Sequence, residues 1–149
     1  MNERMRHWAS ALFVFVMGAC FALSSQATVE ELKARLPNAR PEEKVGIAIE
    51  IAERQVAAAD KLFRDGKGEE GQAAVNDVVT YSGQAGEAAG QTGHRIKNTE
   101  ISLRKMAHRL GDIKRIVAYD DQGPIQSAID SLEKIRTDLL NKMFSKNAK

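Results

Sequence analysis

Few residues in this sequence have the type and spacing that chemistry demands. His94 and His108 lie fourteen positions apart, about 21 Å along a continuous helix, too far to share a metal ion. Neither belongs to a Glu-x-x-His pair, the arrangement that di-iron bundles use, and no Cys-x-x-Cys-His is present for haem. The histidines are therefore read as solvated, and no metal or cofactor is expected. Adjacent carboxylates occur at Glu30/Glu31, Glu42/Glu43, Glu69/Glu70 and Asp120/Asp121. Their positions at helix starts or turns explain them through the positive end of the helix dipole, without a general acid or base. Ser, His and Asp are present, but no Gly-x-Ser-x-Gly elbow is. No catalytic residue is assigned, and the chain is expected not to be an enzyme.

Two features are more promising. Between His94 and Arg115 stand Arg95, Lys97, Arg104, Lys105, Arg109, Lys114 and Arg115, opposed only by Glu100 and Asp112. Such a face over 94–115 suits an anionic partner, either lipid headgroups or an envelope polymer. The bland alternative is a solvated outer surface balanced by acids of neighbouring helices. No aromatic is interleaved to stack bases, so nucleic acid is not expected. The second feature is a stripe of small residues: Gly83, Gly86, Gly90 and Gly93 recur at three, four and three. Each glycine costs about 1 kcal/mol against alanine inside a helix. The stripe therefore marks either a surface for close helix packing or a break.

The elements that position these residues are helical. Pro41 suits a first helical turn, and Val45, Ala48, Ala52, Val56, Ala59 and Leu62 recur at three and four up to Arg64. Asp65-Gly66-Lys67-Gly68 then stops the helix. Counting in sevens from Val75 gives Ser82, Ala89, Ile96, Leu103, Leu110 and Val117 without a slip. That phase predicts one long helix from Glu69 to Ala118, roughly 75 Å. Tyr119 to Gly123 reads as a turn, with Pro124 opening a last helix along Ile125, Leu132, Ile135 and Leu139. No β-branched run with period two is sustained.

The expected fold is all-α: elongated antiparallel hairpins sharing one long central helix. A compact four-helix up-down bundle bent at Gly90–Gly93 is the alternative. Residues 28–40 form a lead-in helix and linker opened by the capping box Thr28 to Glu31. Residues 41–145 make a single helical domain, and 146–149 a basic tail.

The N-terminus is read as a targeting segment. Arg4 and Arg6 precede an apolar stretch from Trp8 to Leu23, and Ser25 and Ala27 are small at −3 and −1 of a cut before Thr28. Residues 1–27 are thus expected to be a cleavable signal peptide, placing the protein in the periplasm or outside the cell. An uncleaved anchor, or a lipoprotein modified at Cys20, are the alternatives, and only they would attach the chain to a membrane. Cys20 is the one cysteine and Trp8 the one tryptophan among 149 residues. The mature part would carry no thiol, which suits an oxidising compartment. The formal charge of the whole chain is only +2, giving no global pull towards nucleic acid.

Together these features predict a non-enzymatic exported helical protein acting by helix–helix association, with itself or a protein partner in the envelope. The residues for that role are the glycine stripe. The alternative is an anionic-surface binder using the basic face.

Overall fold

The computed structural model describes residues 27–147, with side chains through Ser145. The targeting segment up to Gln26, with Trp8 and Cys20, and Ala148 and Lys149 of the basic tail lie outside the described residues. The described chain is all-helical, with α1 at Val29–Arg35, α2 at Pro41–Arg64, α3 at Gly68–Thr92, α4 at Ile96–Ile116 and α5 at Tyr119–Asn147.

Local sequence explains most boundaries. The Thr28 hydroxyl accepts from the Glu31 amide at 3.2 Å, and the Thr28 N–H donates to the Glu31 carboxylate at 2.7 Å, completing the capping box. This short helix is docked on the two helices that follow. Leu32 and Leu36 are buried against Ala48 and Ile51 of α2 and Ala85 of α3. Lys33 donates to Asp77 of α3 at 2.8 Å, and Gln55 of α2 donates to the same carboxylate oxygen at 2.9 Å. At the end of α2, Gly66 takes φ +75°. The Gly66 amide reaches the Phe63 carbonyl and the Lys67 amide reaches Leu62, the bond pair of a Schellman turn.

The long central helix is not formed. Gly93 is left-handed at φ +71° and donates to Ala89, ending α3, and Arg95 is left-handed at φ +58°. Glycine adopts that conformation without the Cβ clash other residues suffer. The Thr92 hydroxyl accepts from the His94 amide at 3.1 Å and steadies the link. The elongated rod is thereby corrected to the folded-back alternative, with the reversal at Gly93–Arg95. The heptad phase survives the break because both arms turn their apolar stripes to one core. A phase count identifies the apolar side and is blind to a reversal.

A second correction concerns Pro124, which lies inside α5 and does not open it. The helix starts at Tyr119, with Asp120 and Asp121 in its first turn. Pro124 is the sixth residue of α5, beyond the starting donors, so it removes the N–H that would otherwise bond the Asp120 carbonyl, and the helix continues past that loss.

The helices form two antiparallel hairpins, α2–α3 and α4–α5, packed side by side. Helices running the same way meet across the seam. Along α3 and α5, Gly68 lies by Asp121, Gly86 by Ile135 and Gly90 by Lys142. On the other side Gly46 of α2 lies by Arg95 at the head of α4. The core runs through Val56, Val75, Val78, Leu103, Leu110, Ile125 and Leu132, each at most 1% exposed. A fully buried aliphatic side chain contributes about 1.5–3 kcal/mol relative to exposure.

Candidate functional site

The basic residues expected to form a surface sit on α4 because its opposite side is the core. Leu103, Met106, Leu110 and Ile113 point inward and are at most 2% exposed. At 3.6 residues per turn, Lys97, Arg104, His108 and Arg115 then fall in one outward row, with Lys105 and Arg109 beside it. All six are exposed. The row extends about 27 Å from Lys97 to Arg115.

Their electrostatic partners differ. Arg115 pairs with Asp112, and His108 Nδ1 stands 3.5 Å from the other oxygen of that carboxylate. Among the described residues no ion pair engages Lys97, Arg104, Lys105 or Arg109. Lys114 leaves the face, since its Nζ donates to Gln126 of α5 at 2.7 Å. Arg95 also leaves it. It belongs to the α3–α4 link, and its guanidinium lies over Gly46. Five of the seven predicted cations therefore share the outer face.

Arg95 borders an open groove of about 260 Å³ between α2 and α4, where Glu50 and Glu53 face Asn98, Thr99 and Ser102. Glu50 is held by Arg54 at 2.5 Å, and the Thr99 hydroxyl is bonded to the Arg95 carbonyl at 3.0 Å. The groove carries mixed charge and does not form an anion pocket.

The glycine stripe is divided among three tasks. Gly86 is buried against Ile135 so closely that a Cβ there would collide with it. Gly90 lies under the flexible Lys142 side chain, and Gly93 is the helix stop. Gly83 has open space where a side chain would project. The close approach that the stripe promised thus occurs within the chain, between α3 and α5.

Other candidates stay apart. His94 is in the α3–α4 link and His108 is on the outer face of α4. Among the described residues no three His, Cys, Asp or Glu side chains are grouped to hold a metal ion. The four carboxylate pairs all stand in first helical turns.

The sequence reading missed a polar clasp between α4 and α5. Glu100, 8% exposed, accepts from Arg136 Nε at 2.6 Å, and Arg136 also donates to Glu133 at 2.7 Å. Hydrogen bonds to Glu100 first, then Glu133, raise the Arg136 pKa above its already high ordinary value. The clasp holds the basic helix on α5. Its signal in sequence was Glu100 beside the core positions Thr99 and Leu103, an acid on the inward half of the helix.

No protein-family model matches the chain, and neither a curated protein nor a solved structure is detectably similar to it.

Proposed function

We propose that this is a non-enzymatic, exported helical bundle that acts through its surface, and that the outer face of α4 binds an anionic partner in the cell envelope. The observation that carries the reading is the shared exposure of Lys97, Arg104, Lys105 and Arg109 with no described carboxylate engaging them. A face that merely balanced neighbouring helices would show cross-helix pairs. Here the acid beside Lys97 and Arg104 on the same helix, Glu100, is buried and clasped by Arg136 of α5. Unpaired cations in a row raise the local potential and attract polyanions.

Retention on a sulfated-dextran column tests this. The unaltered chain elutes late and its elution falls with added salt, while the Arg104→Ser, Lys105→Ser, Arg109→Ser triple variant flows through. Equal retention of the two refutes the reading. Export is supported by the residues of the targeting segment, Arg4 and Arg6 before an apolar stretch and small residues at Ser25 and Ala27. N-terminal sequencing of protein recovered outside the cytoplasm should begin at that threonine.

Helix–helix association with a second copy or a protein partner is the second reading. The observation favouring it is Phe144, 66% exposed towards the end of α5. Sedimentation would show an oligomer that Phe144→Ser dissociates, and a strictly monomeric chain that captures no partner removes this reading.

A further inference from the structure

We infer that the anionic partner is a lipid bilayer, with α4 lying along the headgroups and the α4–α5 turn entering them. This rests on the anion-binding reading of α4 and names its partner. A soluble polyanion needs cations alone, whereas a bilayer offers charge above and hydrocarbon below. The face of α4 has both elements. Ile116 is 54% exposed and Tyr119 is 86% exposed. Ile116 follows Arg109 by seven residues and Lys105 by eleven, so it projects in the direction of those cations. Ile101, partly exposed, falls in the same sector. Tyr119 comes directly after the short link that ends α4. Tyrosine has an apolar ring and a polar tip, the chemistry of a membrane interface.

Geometry favours a flat approach. The attraction of an anionic leaflet fades within a Debye length, about 8 Å at physiological salt. Cations strung along one straight helix reach that layer together, and Asp112 within the row is already engaged by Arg115 and His108. Among the described residues no helix is long and apolar enough to cross a membrane. The contact is therefore peripheral, a basic amphipathic face resting at the interface.

A reporter placed at the turn tests this in the full chain. Trp8→Phe removes the one native indole, and Tyr119→Trp puts one at the exposed position. Vesicles of phosphatidylglycerol mixed with phosphatidylcholine should shift its emission to the blue. Pure phosphatidylcholine should not, and high salt should reverse the shift. Arg104→Ser, Lys105→Ser and Arg109→Ser together should raise the lipid needed by on the order of 100-fold, each cation contributing about fivefold. Ile116→Ser should weaken vesicle binding and leave sulfated-dextran retention unchanged. An equal shift with both vesicle types overturns the inference, because the apolar stretch Trp8–Leu23 and not the face would then be responsible. Retention on sulfated dextran with no shift on anionic vesicles also overturns it, while the anion-binding reading survives as polymer recognition. Failure on both surfaces removes the two together.

Discussion

Between α2 and α3 the seam is built from Val45, Ala48, Ile51, Ala52, Val56, Ala59, Ala74, Val75, Val78, Ala85 and Ala89, all valine and alanine but for Ile51. Between α4 and α5 it is built from Leu103, Met106, Leu110, Ile113, Ile125, Leu132 and Leu139. Small side chains let two backbones come close, and the burial then rests on many thin contacts. Long side chains keep the second pair further apart and concentrate burial in a few residues. The outer surfaces differ in the same sense. The first hairpin is covered by α1 through Leu32 and Leu36. The second leaves its basic helix open. One hairpin is thus closed on both sides, and the other has a side available for a partner.

The contrast predicts opposite sensitivities. Leu132→Ala, at a site with no exposed area, should have the largest effect, a loss of about 2–5 kcal/mol in urea unfolding. In the first hairpin the damaging change is the reverse, adding atoms. Ala85→Leu, also fully buried, should cost about 1–3 kcal/mol through overpacking and should also loosen α1, seen as faster amide exchange at Leu32. If enlarging Ala85 were harmless, the thin seam described here would be wrong.

Gly86→Ala tests where the two hairpins meet. It should cost about 1–2 kcal/mol, and much of that should vanish in an Ile135→Ala background, because the clash partner is then gone. Gly83→Ala, on the same helix but facing open space, should instead stabilise by about 0.5–1 kcal/mol. Equal effects at the two glycines would mean that α5 does not press on α3.

The smallest effect concerns α1. The hydrogen bond to Asp77, opposed by partial burial, raises the Lys33 pKa above its ordinary 10.5. A group whose pKa is raised by folding stabilises fully below its unfolded value and loses that contribution as pH rises through the folded one. The docking of α1 should therefore weaken only above 10.5, and Lys33→Met should abolish that alkaline dependence. The measurement is the thermal midpoint of both proteins from neutral to alkaline pH.

Helix identity and most boundaries were legible in the sequence, because each rests on local chemistry: Thr28 with Glu31, Pro41, Gly66, and apolar spacing at three and four. The reversal at Gly93–Arg95 was not resolved, because the seven-residue count passes through it unchanged. Pro124 misled because proline fits a helix start in general, while here Asp120 and Asp121 begin the helix one turn earlier. The outer face of α4 was visible as a cluster of basic residues. Which of them belong to it was not, since the loss of Lys114 to Gln126 and of Arg95 to the link depends on tertiary neighbours. The glycine stripe was seen as a close-approach surface, but nothing local could say that the approaching helix is α5 of the same chain.

The like-directed contact of α3 with α5 has a consequence for assembly order. Each hairpin joins sequence neighbours and closes only a short loop. The junction of Gly68 with Asp121 closes about fifty residues and gains its contacts only after the loop entropy has been overcome. The junction is therefore the late event in folding. A destabilising change at Gly86 should accelerate unfolding while leaving the refolding rate nearly untouched.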